Sequence, residues 1–384
     1  MSAAGPRLVR LSLTDFRNYR SLAWTFSERI TVVTGPNGSG KTNLLEAISL
    51  LVPGRGLRGA RMAELPRHGA EHWAVAARLQ SGPDGFEIGT GTAPDQPAGR
   101  RVFRLDGQAL RNRGVLGERL SAVWLTPQMD RLFSEGTAGR RRFLDRLVLA
   151  LEPGHAREVA AHDEAMQGRN RLLATGRGRG AWIDGLELSM ARHAVAATAA
   201  RRSLVARLNA RADRPPDETG FPQAVLTLSC AIAERLECEP ALAVEDWLRG
   251  ELASARLADQ RGPGASRGAH RADLSLSDRE TGRPAAIAST GQQKALLLGV
   301  ILAHAGLIAT LRGDAPLLLL DEPLVHLDRA RRDALFSALS GLSSHVMLTG
   351  TDRDLFAPLL GRAESLRAEQ GRLQHAGSGG VEGL

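Results

Sequence analysis

Gly35-Pro36-Asn37-Gly38-Ser39-Gly40-Lys41-Thr42 is the stretch on which the fold turns. Before it, Ile30-Thr31-Val32-Val33-Thr34 is a β-branched run that reads as a buried strand. After it, Leu44, Leu45, Ala47, Ile48 and Leu51 recur at helical spacing, which predicts a helix starting near Lys41. Strand, glycine loop and helix in that order mark a phosphate-binding loop rather than a surface turn. Gly35, Gly38 and Gly40 let the backbone curl so that successive N–H groups face a phosphate, and the helix N-terminus adds partial positive charge. Lys41 is then placed to reach the β- and γ-phosphates of ATP, and Thr42 to offer its hydroxyl to Mg²⁺. The nucleotide contacts expected here run from Gly35 to Asn43.

Composition sets Lys41 apart. Of the 50 basic residues only two are lysine, Lys41 and Lys294. A lysine kept against so strong an arginine bias points to a place where a compact charge serves and a wide planar fork does not. The 384 residues allow two or three domains, and 43% apolar with 24% charged content is that of a soluble globular chain. No apolar run reaches the roughly 18 residues of a membrane span. Met1 to Arg10 also lacks the apolar core of a signal peptide. A cytoplasmic protein with no membrane partner is expected. Cys230 and Cys238 are the only cysteines, and both read as packing residues of a reduced chain. The net charge of +8 and pI near 10.7 point to a polyanionic partner, although arginine dominance lifts the pI by itself.

Leu8–Leu13 and Leu22–Phe26 read as two strands at a sheet edge. His72–Leu79, Gly85–Thr90 and Arg101–Leu105 alternate apolar and polar residues as antiparallel strands do, and Ser121–Thr126 reads as another buried strand. From about residue 130 the pattern becomes helical: 155–174 and 181–212 are breaker-poor, the second with Leu186, Met190, His193, Ala197 and Ala200 on one face. Residues 224–230 suggest a strand and 241–258 a helix. The expected organisation is an ATPase lobe over 1–130, a helical insert over 131–262, a second ATPase stretch over 263–374 and a disordered tail over 375–384.

Pro316-Leu317-Leu318-Leu319-Leu320-Asp321 is an apolar run ending in two carboxylates, Asp321 and Glu322. Such a buried parallel strand delivers its acids to the sheet edge where ligands bind. Asp321 would hold Mg²⁺ and Glu322 would orient and deprotonate the attacking water, which with Lys41 makes the catalytic set. Upstream lies Ser289-Thr290-Gly291-Gln292-Gln293-Lys294, a polar turn that opens an apolar helix.

Phosphate loop, Ser-x-Gly-Gln turn, apolar strand with Asp-Glu, then Leu327-Asp328, in that order, resembles the ABC-type ATPases. The resemblance implies that Ser289, Gly291, Gln292 and Asp328 contact ATP in trans, completing the site of a second copy in a homodimer. Gln128 resembles the residue that senses Mg²⁺ and the γ-phosphate, and equally reads as a plain strand terminus. Transporter-type members carry a histidine after the next strand; here Thr349 or Thr351 replaces it, or nothing does.

Lys41 to Gly291 spans 250 positions, too far for a transporter subunit, and the insert is too short for a chromosome-condensing coiled coil. Asp15-Phe16-Arg17-Asn18-Tyr19, Gly54-Arg55-Gly56, Leu125-Thr126-Pro127, Gly139 to Asp145, His270 to Leu274 and Ser289 to Lys294 resemble, in order, the RecF family of bacterial DNA gap-repair ATPases. In place of that family's Arg and Pro this chain has Thr290 and Ala269. The fold implied is α/β: an ABC-type ATPase head, with a P-loop mixed sheet and an antiparallel β subdomain, plus an inserted helical lobe. The function implied is slow, DNA-stimulated ATP hydrolysis by a dimer that closes on single/double-strand junctions and works with RecO and RecR to load recombinase. Arg17 and Asn18 join the implied ATP contacts. DNA candidates are Arg55, Arg58, Arg140, Arg141, Arg142 and the Arg177/Arg179 turn, each with an ordinary solvated or paired arginine as its alternative. The competing readings are an ABC-type or SMC-like ATPase with a non-DNA partner, and a scaffold that binds ATP without turnover.

Overall fold

The computed structural model of the chain describes residues 5–82, 84–93, 100–112, 114–176, 180–212 and 221–376. Arg177, Arg179 and the Gly-rich tail from residue 377 lie outside them.

The chain opens with an antiparallel pair, β1 (Arg7–Phe16) and β2 (Tyr19–Thr25). Every residue of β3 (Ile30–Thr34) is buried, as expected of a β-branched strand covered on both faces. It feeds through the glycine loop into α1 (Lys41–Ser49). β4 (Ala74–Ser81), β5 (Asp84–Thr92), β6 (Arg101–Leu105) and β7 (Gln108–Ala109) extend the first pair into an antiparallel sheet of order β2-β1-β4-β5-β6-β7. In β4 the alternation works as read, with Val75, Ala77 and Leu79 turned inward. A short helix, α2 (Gly114–Arg119), leads to β8 (Ala122–Leu125), buried at all four positions.

A second compact unit, Arg131–Pro215 with Pro222–Ser289, follows. It holds α3 (Thr137–Leu151), α4 (His155–Ala174), α5 (Ala181–Ala212), β9 (Ala224–Ser229), α6 (Ala231–Arg235), α7 (Ala241–Arg261) and β10 (Asp273–Asp278). Met190, Ala194 and Ala197 of α5 form its core with Val244, Leu248 and Leu252 of α7. The buried face of α5 is not the stripe read from sequence: His193 and Ala200 are only half-buried, while Glu187 and Arg201 are buried. Paired charges explain this. Arg169, fully buried, donates to Glu187 (2.8 Å), Asp259 (2.7 Å) and the Leu252 carbonyl (2.7 Å). Arg201 grips Asp145 with both arms at 2.7 and 2.9 Å. Buried charges are tolerated only when paired in this way. Part of the arginine surplus is therefore used inside the fold.

The insert was expected to end at residue 262, but this unit runs on to Ser289. The reason is pairing: β10 forms an antiparallel ladder with β9, and Arg140 makes a two-armed ion pair with Asp273 at 2.8 and 2.9 Å. Cys230 is buried, whereas Cys238 is exposed and not the packing residue it was read as.

The chain then returns to the first unit with α8 (Thr290–Arg312), β11 (Leu317–Leu320), α9 (Arg329–Gly341), β12 (Val346–Gly350), β13 (Glu364–Glu369) and β14 (Arg372–His375). These strands complete a second sheet of order β14-β13-β3-β12-β11-β8, parallel except at the β13/β14 edge. By length and composition alone α8 is apolar enough to cross a membrane, with a mean hydropathy of 1.9, although His304 interrupts its apolar run. It serves as a core helix instead, burying Leu296, Leu297, Leu298, Ile301 and Ile308. His375 and Ala376, read as the start of the tail, are held in the fold. His375 belongs to β14, its ring lies 5.0 Å from that of Trp24, and the Ala376 N–H donates to the Ser365 carbonyl.

Candidate active site

The parallel order β3-β12-β11 fixes the site. The glycine loop follows β3, Asp321 and Glu322 follow β11, and Thr349 in β12 ends between them. This is the carboxyl edge, where open α/β sheets bind ligands.

Gly35, Gly38 and Gly40 all adopt positive φ (149°, 79° and 110°), which supports the curled loop read from the sequence. At Gly40 no side chain fits, because a Cβ would stand 2.5 Å from Asn18 Nδ2 and 2.9 Å from the Tyr19 hydroxyl. Those neighbours hold the loop: Asn18 Nδ2 donates to the Ser39 carbonyl and Tyr19 Oη to the Gly40 carbonyl, both at 3.1 Å. Lys41 is buried, its ammonium donating to the carbonyls of Gly35 (2.8 Å) and Pro36 (3.0 Å). Burial lowers the Lys41 pKa from its ordinary value, opposed by Glu322 and then Asp321. Ser39 Oγ is buried without a hydrogen-bond partner among the described residues. Pro36, Asn37 and Gly38 are exposed at the loop's tip.

A hydrogen-bond chain joins loop to acids. The Thr42 hydroxyl donates to Asp321 Oδ1 at 3.1 Å, and the Thr349 hydroxyl donates to the same oxygen at 2.6 Å. Thr349 also accepts from the Glu322 N–H at 3.0 Å. Glu322 itself has φ +48°, in the left-handed region that a non-glycine residue occupies only when held there. The hydroxyl and carboxylate of Thr42 and Asp321 are hard oxygen donors of the kind Mg²⁺ takes, so the residues present fit that ion.

Thr349, one of the two threonines read in place of a γ-phosphate histidine, serves the acid pair in this structure. It is fully buried, and its one proton is given to Asp321; Thr351 is exposed. Thr349→Val keeps the volume but leaves Asp321 and the Glu322 N–H short of a partner. A loss of about 1–3 kcal/mol is expected by urea denaturation, together with reduced ATP turnover, whereas Thr349→Ser should retain most of both.

Arg17, expected to touch ATP, forks onto Glu46 of α1 with two contacts of 2.8 Å, from a backbone at φ +53°. Asn43 Nδ2 donates to Asn18 Oδ1 at 2.7 Å, tying those two candidates together beside the loop. Glu46 is a buried acid within an apolar helix, and that mismatch was the signal by which sequence reasoning could have found it. Gln128 is not the strand terminus it was read as. β8 ends at Leu125, and Gln128 sits exposed on a 3-10 turn, Pro127–Arg131.

Ser289 is exposed, and α8 starts at the next residue. A Cβ on Gly291 would lie 2.8 Å from the His326 carbonyl, so the signature turn packs on the loop before α9. Gln292 is half-buried. Asp328 caps α9, accepting from the Arg331 N–H at 2.9 Å.

The DNA candidates divide. Arg58 bonds Asn43 (2.6 Å) and Glu46 (3.2 Å), Arg140 is paired with Asp273, and Arg141 donates to the Ala272 carbonyl at 3.0 Å. Arg55 and Arg142 are exposed, without a hydrogen bond or ion pair among the described residues.

Comparison with known proteins bears on this geometry. The family model for the RecF/RecN/SMC N terminal domain matches residues 7–357. The DNA replication and repair protein RecF of Mesorhizobium japonicum is 46% identical over 96% of this chain and 97% of its own length. The protein of the same name from Rhizobium meliloti is 43% identical, covering 95% and 98%. The solved recombination mediator protein RecF-ATPrS in the RecFOR pathway superposes with a TM-score of 0.84 at 21% identity, over 98% of this chain and 99% of that one. An Smc head domain from Pyrococcus furiosus gives 0.52 at 16% identity, over 96% and 95%. These two structures speak for the fold, an ATPase head of the RecF and SMC type. From the extent and identity of the sequence matches, the chain belongs to the RecF family of DNA replication and repair proteins.

Proposed function

We propose that this chain is a Mg²⁺-dependent ATPase of recombinational DNA repair whose two copies close head to tail around two ATP molecules and onto DNA. The observation that carries this is the chain Thr42–Asp321–Thr349–Glu322, which places a metal-type donor pair and a candidate base beside a phosphate loop. Mg²⁺ would be held by Thr42 and Asp321, with Gln128 as the further candidate, and would supply neutralisation of charge developing on the phosphates. Lys41 grips the β- and γ-phosphates. Glu322 orients the attacking water and accepts its proton. The phosphates face Ser289, Gly291, Gln292 and Asp328 of the second copy, and ATP holds the dimer together. Hydrolysis removes the shared γ-phosphate and the dimer reopens. The solved relatives include a recombination mediator RecF-ATP in the RecFOR pathway. This supports ATP as the nucleotide and RecO and RecR as partners; the place of work we assign is the cytoplasm.

On DNA, the preferred form is a single/double-strand junction or gapped duplex. Affinity would come from neutralised phosphates, so it should fall steeply with salt. Arg55 and Arg142 are the arginines assigned to this task, because Arg58, Arg140 and Arg141 are engaged within the fold. Binding to gapped duplex by fluorescence polarisation, across a salt series with ATP, ADP or no nucleotide, tests this. Binding should require ATP, and Arg55→Gln/Arg142→Gln should flatten the log–log salt slope by about 1 for each DNA phosphate no longer neutralised. Arg140→Gln should leave the slope unchanged. Equal binding without nucleotide would refute the reading.

A further inference from the structure

Lys294 is the second of two lysines in a chain of 50 basic residues, and the function above gives it no task. It lies in the first turns of α8, five positions after Ser289, and is completely buried. Its ammonium donates to the Glu322 backbone carbonyl at 3.0 Å and faces Asp130 Oδ2 at 3.2 Å. Asp130 stands on the same 3-10 turn as Gln128. Two residues therefore hold the left-handed Glu322: Thr349 takes its N–H and Lys294 its C=O. An enclosed site that requires donors to a carbonyl and a carboxylate suits a compact ammonium; a guanidinium fork is wider and planar.

We propose that Lys294 is a positioning residue: it holds the Glu322 backbone so that the carboxylate faces the attacking water, and it transmits seating of the signature turn in one ATP site to the base of the other. The inference rests on the two-copy reading above. Each chain's Ser289 turn belongs to its partner's ATP, whereas its Glu322 belongs to its own. Lys294 is the side chain that bridges them, since it is rooted in the helix that the signature turn opens and bonded to the peptide that carries the base. A turn that is not seated shifts the root of α8, loosens the Glu322 carbonyl and leaves the base misaimed. Hydrolysis in either site thus waits for complete closure.

Lys294→Met alone would bury an unpaired Asp130 and could fail to fold. The decisive variant is Lys294→Met/Asp130→Leu, which removes both charges while still lacking the clamp on Glu322. Measurements are Tm, ATP affinity with the γ-thio analogue, dimer mass with ATP, and kcat. The expected result is a Tm close to that of the unaltered chain, affinity within about threefold, a dimer that forms and persists with ATP, and kcat down about a hundredfold. Lys294→Arg should also fall well short of the unaltered kcat. A merely structural role predicts that kcat returns with the Tm. Turnover within threefold of the unaltered chain, or a loss confined to KM, would overturn the assignment. An unaltered chain that stays monomeric with ATP would overturn the two-copy reading and this inference with it, and that control is read separately from the variants.

Discussion

Glu322→Gln is expected to bind ATP as tightly as the unaltered chain and to turn it over about 10²–10⁴ times more slowly, the range a positioned general base contributes. The amide keeps the shape and the half-buried setting of the side chain but cannot take a proton. Backbone bonds hold the residue, N–H to Thr349 and C=O to Lys294, so the left-handed conformation should survive the change. Asp321 keeps both hydroxyl partners, and the metal-type donor pair is untouched. If hydrolysis is what reopens the dimer, the variant should elute with ATP as a long-lived dimer while the unaltered chain elutes as an exchanging mixture. Light scattering on the eluting peak gives the mass, and release of labelled phosphate gives the rate. A variant that hydrolyses within tenfold of normal would remove Glu322 from the chemistry. One that stays monomeric with ATP would separate hydrolysis from opening.

Strongly periodic and motif-bearing segments were legible in the sequence. The β-branched run before Gly35 became β3, the apolar Leu317–Leu320 run became β11, and the loop glycines took the positive φ angles that only their backbone accommodates freely. What the sequence withheld was whatever depends on strands far apart in the chain coming side by side. Thr349 and Asp321 meet because β12 and β11 are neighbours, and no local pattern shows that a threonine will give its proton to an acid 28 residues earlier. Asp130 meets Lys294 across 164 residues in the same way. Arginines misled for a related reason. Arg17, Arg58 and Arg140 look like free cations in a basic chain, yet each is answered by a carboxylate from another segment. The insert's end was misplaced because β10 looks like ATPase sequence locally and is claimed by β9 through a hydrogen-bond ladder.

Ser289→Arg carries the largest expected effect outside the acid pair. Ser289 is exposed and sits where α8 begins, so a bulky cation there disturbs no core packing. In the closed dimer proposed above that same position would meet the partner's ATP at close range, leaving an arginine side chain no room. Dimer formation and turnover should both be abolished, while the variant's own phosphate loop, with Lys41, Thr42 and Asp321, is left intact. Lys41→Ala provides the contrast, since it removes the phosphate grip itself and should lose ATP binding as well as the dimer. The most direct measurement is therefore ATP affinity and solution mass taken together on Ser289→Arg, beside Lys41→Ala, at a protein concentration where the unaltered chain is monomeric before ATP is added. The account predicts a Ser289→Arg monomer that binds ATP with an affinity close to that of the unaltered monomer. A Ser289→Arg chain that loses ATP as completely as Lys41→Ala would mean that the turn serves its own molecule's nucleotide, and the two-copy site would be contradicted.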